Sequence, residues 1–235
     1  MNNEQAVWDR LFALIRNPFG VSGVMGNFQA ESAMRSDNLQ DSYQAGLGMN
    51  DAQYTAAVDN GSYRNFVHDG AGYGLYQATW WSIKQHLLQY ARIRGTSVGD
   101  RDMQVDAFCS LLRSEYSSVW NTLLTATSVR QASDAVLLGF ERPADQSEAV
   151  QRYRAALARQ FYDRFAGEAS SGPDAARPAA DPAATSQPAS PQQQASMPPA
   201  AASPAQSAPQ PPSPSGSRSS AAPQPSRPSN PLSFS

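Results

Sequence analysis

The sequence predicts a mostly α-helical domain over residues 1–166, followed by a disordered tail over residues 167–235. Of the 18 prolines, 16 lie in the tail, whereas 21 of the 22 aromatic residues precede it. The first segment has the usual size of one domain, and its apolar residues recur at helical spacing. The tail consists mainly of Ala, Pro, Ser and Gln and cannot bury enough apolar surface to fold. It is either a simple spacer or a segment recognised by a proline-binding partner.

Seven amphipathic stripes predict the helices of the domain. In the second stripe, Gly23 and Gly26 are three residues apart, a spacing that lets another backbone approach closely. In the sixth, Ser128 and Gln131 are spaced as a capping box. The stripes consist of Trp8, Leu11, Phe12 and Ile15; Val21, Val24, Met25 and Phe28; Ile83, Leu87 and Tyr90; Met103, Phe108, Leu111 and Leu112; Val119, Trp120, Leu123 and Leu124; Val129, Ala132, Val136 and Phe140; and Val150, Tyr153, Leu157, Phe161 and Phe165.

Residues 37–76 interrupt this pattern with a segment rich in Asn, Asp, Gly and Tyr. A short helix is expected from Asp51 to Val58, ended by Asn60-Gly61. Alternatively, Asn60-Gly61 forms a hairpin turn beside a small β element around Ser62 to Val67. An irregular excursion of this length within a helical domain usually carries function.

Composition excludes several classes of function. The net charge of −2 gives no electrostatic footprint for nucleic acid or an anionic membrane. We expect no membrane span and no export signal, because no stretch is long and apolar enough for either. His68 and His86 lack companion ligands at metal spacing, so neither a metal nor another cofactor is expected. Cys109 lies among apolar residues, which favours a buried structural thiol.

Glu31 is the first candidate for chemistry. It follows Val24 by seven residues and Phe28 by three, so a helix places its carboxylate on their apolar face, at the last turn. Partial burial and the negative end of the helix dipole both raise the pKa of a carboxyl. A carboxyl that keeps its proton at neutral pH can act as a general acid. The alternative is an ordinary ion pair between Glu31 and Arg35 at i+4.

The second candidate is the glycine-rich stretch from Asp69 to Gln77, which Trp80 and Trp81 follow closely. Glycines bring bare backbone to a surface, and neighbouring aromatic rings supply flat apolar faces with polar tips. With amides such as Gln77 and Asn27 beside them, these rings suit a polysaccharide groove. The alternative is a structural turn that leads into the next helix, with both tryptophans in the core.

Two sets of motifs carry a family resemblance. Glu31-Ser32 and Gly74-Leu75-Tyr76-Gln77 resemble the Glu-Ser and Gly-Leu-Met-Gln signatures of the lysozyme-like superfamily, which includes goose-type lysozymes and lytic transglycosylases. A longer ordered set over residues 8–165 is similar to the phage tail lysozyme family and implies a lysozyme-like fold. Tyr76 stands where the superfamily usually has Met, which alters the shape of the groove rather than its chemistry. The longer set comprises Gly26-Asn27-Phe28-Gln29-Ala30-Glu31-Ser32, Asn38-Leu39-Gln40, Gly72-Tyr73-Gly74-Leu75-Tyr76-Gln77 and Phe140-Glu141-Arg142-Pro143.

This resemblance implies cleavage of the β-1,4 bond between N-acetylmuramic acid and N-acetylglucosamine in peptidoglycan, with Glu31 protonating the leaving oxygen. Glycosidases generally use a second carboxylate. Asp69, beside the glycine-rich stretch, is the first candidate and Asp41 the second, although each also suits a capping or turn role. Lytic transglycosylases need no second carboxylate, because the 6-hydroxyl of the sugar attacks instead and gives a 1,6-anhydro product.

The remaining expectations concern substrate contacts and partners. We expect Glu141 to pair with Arg142 or Arg152 in a structural role rather than to enter the groove. The resemblance also suggests a virion-associated enzyme, carried by phage tail or lysis-apparatus proteins or cytoplasmic until delivered to the wall. A rival hypothesis is a non-catalytic module that grips the wall; an amidase or peptidase is disfavoured because it needs a metal cluster or a Cys-His pair. The predicted substrate-binding residues are Asn27, Ser32, Tyr73, Gly74, Tyr76, Gln77 and Trp80.

Overall fold

The computed structural model describes residues 3–169, and the rest of the predicted tail lies outside this part. Within it the chain forms nine α-helices and one π-helical segment, which confirms the prediction of a mostly α fold. The helices are α1 (Asn3–Ile15), α2 (Pro18–Ser32), α3 (Asp41–Leu47), α4 (Asp51–Asp59), α5 (Trp81–Arg94), α6 (Arg101–Glu115), α7 (Ser117–Thr125), α8 (Val129–Val136) and α9 (Glu148–Ala169), and the π segment (Leu137–Glu141) follows α8 directly.

Helix α2 is the central element, because α1, α7, α8 and α9 all pack against it. Two residues fix the start of this helix. The Asn17 side chain accepts a hydrogen bond from Phe19 N at 3.0 Å, and Pro18 takes the first helical position, where a backbone N–H would have no partner within the helix. Ten of its fifteen residues are buried. Burial on so many sides is typical of a core helix.

Glycines let the neighbouring helices approach the backbone of α2, as their spacing predicted. A Cβ at Gly26 would lie 2.5 Å from the Cβ of Ala158 in α9, and one at Gly23 would lie 2.6 Å from the carbonyl carbon of Ala132 in α8. Either distance is closer than a real side chain allows. Helices α8 and α9 therefore pack directly against the α2 backbone.

Helix α9 is rotated relative to the face that its apolar stripe predicted. Tyr153 is 54% exposed, whereas Arg154 and Ala158 are buried. The physical reason is the contact with Gly26, where only a small side chain such as Ala158 fits between the two backbones. Phe161 and Phe165 remain buried, as predicted. The rotation turns an arginine toward α2.

Helix α8 changes geometry before it reaches Phe140. Ser128 caps its start by accepting a hydrogen bond from Gln131 N, as predicted, but the Gln131 side chain accepts from Thr127 N instead of completing the box. From Leu137 to Glu141 the chain widens into a π turn. Single π turns are rare and occur often at functional sites. This turn ends on Glu141.

The excursion over residues 37–76 contains two short helices rather than a sheet. Helix α4 ends at Asp59 before Asn60-Gly61, as predicted, and the alternative β element around Ser62 to Val67 is wrong. Helix α3 was not predicted. An isolated antiparallel bridge between Leu39 and Tyr73 closes the excursion in the described part of the chain.

No helix among residues 3–169 has the length and apolar character needed to cross a membrane. Across that same part of the chain, no three His, Cys, Asp or Glu side chains come together in a way that could hold a metal ion. Cys109 is buried in α6, and burial raises the pKa of its thiol to about 12. It is therefore an inert structural thiol.

We predict that Gly26→Ala lowers the free energy of unfolding by about 1–3 kcal/mol, because the new Cβ overlaps Ala158. Gly46→Ala in α3 is the matched control: nothing lies within 4 Å of its Cβ position, so it should be neutral or stabilise by up to about 1 kcal/mol. Urea unfolding measures both. Equal stability of the two variants would contradict the close contact between α2 and α9.

Candidate active site

Glu31 lies in the last turn of α2, at the boundary between core and solvent. Its side chain is 20% exposed, and its Oε1 accepts a hydrogen bond from Nη2 of Arg154 in α9. The backbone leaves the helix through two consecutive residues in the left-handed region, Ala33 (φ 51°) and Met34 (φ 63°). Such conformations cost energy and occur often at functional sites. Glu31 is thus a half-buried carboxyl beside a buried cation.

Arg154 is oriented by a buried asparagine. It is 8% exposed, and its Nη1 donates to Asn27 Oδ1 at 3.1 Å. The Asn27 Nδ2 in turn donates to the carbonyl oxygens of Gly23 (2.8 Å) and Ser133 (3.1 Å). Asn27 was predicted to bind substrate, but its side chain is fully buried and hydrogen-bonded to protein. Its role is to fix the guanidinium that meets Glu31.

The alternative pairing of Glu31 with Arg35 is wrong. The Arg35 guanidinium donates to Asp51 and to Asp37 instead. The left-handed turn after α2 is the physical reason, because it ends the helical geometry that would have placed residue 35 above residue 31.

Glu141 joins the same site from the π segment. The residue is partly exposed, but its Oε1 is inaccessible and has no hydrogen-bond partner among the described residues. Burial raises the pKa of Glu141 well above its ordinary value, the negative charge of Glu31 raises it further, and the positive charge of Arg154 opposes both. The expected partner Arg152 lies instead 3.7 Å from Glu148. Glu141 is therefore a neighbour of Glu31 and Arg154, which corrects the expected pairing.

Tyr76 lies beside Glu141 in the core. Its ring packs against Phe28, Phe108 and Phe140, and its buried Oη has no hydrogen-bond partner in the part of the chain that the structure describes. Burial raises the pKa of Tyr76, and the charge of Glu141 adds to this effect. Tyr76 was predicted to contact substrate, but aromatic side chains enclose its ring in the structure, which favours a packing role.

Ser32 links the end of α2 to the glycine-rich stretch. Its Oγ lies 3.0 Å from Leu75 O and 3.1 Å from Phe28 O, and the residue is buried. Ser32 was also predicted to bind substrate. In the structure its hydroxyl holds the stretch against α2, directly beside Glu31.

The other residues of the glycine-rich stretch form hydrogen bonds or close contacts with the protein itself. Tyr73 is buried, and its Oη lies 2.6 Å from Thr55 Oγ1. Gly74 has φ +78°, and the Gln104 side chain lies 2.5 Å from the position of a Cβ. The Gln77 Nε2 donates to Asn38 O and Gly74 O, both at 3.1 Å. The side chains of Tyr73 and Gln77 and the backbone of Gly74 are thus engaged by protein, which favours a structural role over the predicted direct contact with a sugar.

Asp69, the first candidate for a second carboxylate, belongs to a buried ion pair. Its Oδ1 lies 2.5 Å from Lys84 Nζ, and both side chains are enclosed. Its Oδ2 accepts from Tyr54 at 2.5 Å and from Tyr63 at 3.0 Å, while Ala71 N donates to Oδ1 at 3.0 Å. Burial lowers the pKa of Lys84, and Asp69 opposes that shift. With four donors and a side chain only 2% exposed, Asp69 anchors the stretch to α4 and α5, a placement that favours a structural role over the predicted catalytic one.

Three candidates remain at the surface. Asp41 is exposed in the first turn of α3, where its Oδ1 accepts from Gln44 Nε2 at 3.3 Å. Trp80, the N-cap of α5, is 44% exposed, and Trp81 is 61% exposed. The alternative that places both tryptophans in the core is wrong. They offer flat apolar surface at the end of the glycine-rich stretch.

Sequence reasoning missed Arg154 and assigned Glu141 to a different partner. Arg154 lies between Tyr153 and Leu157 in an apolar stripe that pointed elsewhere, so only the rotation of α9 reveals it. For Glu141 a signal was present, namely its place directly after an apolar stripe and before Pro143. Trp81 was weighed both as a groove residue and as a core residue, but it was not among the predicted substrate-binding residues.

The model of the family described as "Phage tail lysozyme" matches residues 2–165. No curated protein and no solved structure matches the chain. The matched segment includes Glu31, Glu141 and Arg154.

We predict that Asp69→Asn lowers the free energy of unfolding by about 3–5 kcal/mol, because it leaves Lys84 buried without a counter-charge. Asp41→Asn is the control and should change it by no more than about 0.5 kcal/mol. Thermal and urea unfolding measure both. An Asp69→Asn variant with unchanged stability and abolished cleavage would restore the catalytic interpretation.

Proposed function

The chain belongs to the phage tail lysozyme family and has a lysozyme-like function acting on peptidoglycan. We propose that it cleaves the β-1,4 bond between N-acetylmuramic acid and N-acetylglucosamine, with Glu31 as the general acid. One observation carries this proposal. Glu31 is a half-buried carboxyl at the solvent boundary, and Arg154 and Asn27 hold it in one orientation.

The surroundings of Glu31 suit transfer of a proton to a leaving oxygen. Its side chain is exposed enough to meet a substrate and enclosed enough to be partly desolvated. As the glycosidic C–O bond breaks, the proton of Glu31 passes to the leaving oxygen. The carboxylate that remains accepts the hydrogen bond from Arg154, which stabilises its negative charge. A side chain fixed by its neighbours also keeps this geometry between turnovers.

The fate of the sugar cation depends on a second group. In a hydrolase a carboxylate activates or replaces water. Because Asp69 forms a buried ion pair with Lys84, a lytic transglycosylase reaction is the second candidate. In that reaction the 6-hydroxyl of the sugar attacks the anomeric carbon, so no second catalytic carboxylate is needed. Mass spectrometry of muropeptide products separates the two. A free reducing end identifies the hydrolase, and a 1,6-anhydro end identifies the transglycosylase.

The glycan also needs a surface on which to lie. Trp80 and Trp81 are the exposed aromatic residues next to the glycine-rich stretch, which Ser32 joins to the end of α2. Stacking of sugar rings on such faces is a common mode of carbohydrate recognition. We therefore place the bound strand across Trp80, with Trp81 beside it.

The family also bears on where the enzyme works. We propose that it is associated with the phage tail and meets peptidoglycan when the tail reaches the cell wall. Its protein partners are then tail or lysis-apparatus components.

We expect Glu31→Gln to reduce the release of reducing or anhydro ends from purified cell walls by at least about 100-fold, because the amide cannot donate the required proton. Glu115→Gln, at an exposed position of α6, is the control and should retain wild-type activity. Circular dichroism checks that both variants fold. Equal release by wild type and Glu31→Gln would instead support the non-catalytic wall-binding module.

Trp80→Ala should raise KM for glycan strands by about two- to tenfold and leave kcat nearly unchanged, since an aromatic contact contributes about 0.5–1.5 kcal/mol. Ile93→Ala, at the exposed far end of α5, is the control and should not affect KM. Steady-state kinetics on soluble glycan oligomers measures both. An unchanged KM in Trp80→Ala would place the strand elsewhere.

A further inference from the structure

A buried glutamine joins three loops beside the candidate site. Gln104 lies in the first turn of α6 and is fully buried. Its Oε1 accepts a hydrogen bond from Leu75 N at 2.9 Å. Its Nε2 donates to Ser36 O at 2.7 Å and to Val98 O at 2.8 Å. Both N–H groups and the oxygen of the amide are therefore used, and all three bonds go to backbone atoms outside α6.

Two of these partners belong to segments that meet at the end of α2. Leu75 lies in the glycine-rich stretch, and Ser36 lies in the loop that leaves α2. The third partner, Val98, lies in the loop that precedes α6. One side chain from α6 therefore fastens the stretch to the segment that begins directly after the helix of the candidate acid.

The Leu75 peptide group is held from both sides. Its N–H donates to Gln104, and its carbonyl oxygen lies 3.0 Å from the Oγ of Ser32, the residue directly after Glu31. The preceding residue, Gly74, has φ +78°, and the Gln104 side chain lies 2.5 Å from the position of a Cβ there. The amide therefore reaches this peptide group only because residue 74 has no side chain.

Gln104 differs from its buried neighbours in α6. Met103, Val105 and Ala107 are apolar and pack the helix against the core. Burial of an amide costs free energy unless its polar atoms find partners, and the partners of Gln104 are backbone atoms that an apolar side chain could not fix. Its specific contribution to the fold is thus the place of Leu75 relative to the end of α2.

We propose that Gln104 is a positioning residue, which holds Leu75 of the glycine-rich stretch against the end of α2 that carries Glu31. Its effect on catalysis rests on the function proposed above, in which the glycan strand lies across Trp80 and reacts at Glu31. Gln104 then aligns the bound strand with the acid and contacts neither of them. A misplacement of about 1 Å at an active site can reduce the rate by about 100-fold.

The first test is Gln104→Met, which nearly keeps the length of the side chain and removes every hydrogen bond of the amide. We expect kcat for soluble glycan oligomers to fall at least about tenfold and KM to change by less than about twofold. The reason is that the stacking surface at Trp80 remains, whereas its alignment with Glu31 is lost. An unchanged kcat would overturn the proposal.

Asp59→Ala is the matched control. The Asp59 carboxylate holds the loop before α6 from its other side, because it accepts from Val98 N at 2.7 Å and from Ser97 Oγ at 2.5 Å. A purely structural role for Gln104 predicts that both variants lower the midpoint of thermal unfolding and leave kcat unchanged. A fall of kcat in Gln104→Met alone supports the positioning role, and an equal fall in both variants would overturn it.

If Gln104→Met does not fold, Gln104→Asn replaces it. This variant keeps the amide but is one methylene shorter, so it cannot reach both Leu75 N and Ser36 O. Its kcat should fall at least about threefold while KM stays within about twofold of wild type. A wild-type kcat in this variant would contradict the positioning role.

A further readout needs no cleavage, because hydrogen exchange of the Leu75 amide reports its bond to Gln104 in the wild type. We expect this amide to exchange at least about 100-fold more slowly than an exposed loop amide. Rapid exchange would overturn the proposal even if Glu31 proves to be the general acid. Conversely, a wild type that releases no sugar ends from cell walls would refute the proposed function, while slow exchange would still establish that Gln104 holds Leu75.

Discussion

The contact between α9 and the glycine face of α2 is the constraint on which the site depends. Ala158 lies where a Cβ of Gly26 would be, and this sets the rotation of α9. One turn earlier on the same face is Arg154, which is thereby directed into the protein. A buried guanidinium without partners would cost several kcal/mol. Asn27 and Glu31, both on α2, supply those partners, so the packing of two helices and the orientation of the candidate acid have the same origin.

The same contact connects the site to the rest of the domain. Asn27 donates to Ser133 O in α8, and α8 continues into the π turn whose last residue is Glu141. On the opposite side, Ser32 holds the glycine-rich stretch against the end of α2. Four segments that are distant in the chain therefore meet around Glu31. A site built on helices in this way is more rigid than one carried by loops alone.

The glycine-rich stretch shows where interpretation of the sequence reaches its limit. Glycines beside tyrosines are compatible with an open sugar-binding surface and with a tightly packed turn. The structure adopts the packed turn for Tyr73 and Tyr76, because the side chains of Gln104 and of the surrounding aromatic residues fill the space that the glycines leave. Asp69 is likewise part of the packed interior, because the buried amine of Lys84 requires a counter-charge. Trp80, at the end of the stretch, keeps the exposure that its predicted role requires.

The amino-acid sequence by itself determined the helices other than α3 and the π segment, the close packing around α2 and the place of Glu31 at the end of a buried face. Helical periodicity and small residues are local properties of the chain. The rotation of α9, the pairing of Arg154 with Glu31 and the approach of Glu141 were decided only by the tertiary structure. The partners Asn27 and Arg154 are separated by 127 residues. No local pattern specifies such a pair, because which face of a helix becomes buried depends on the shape of the surface that it meets.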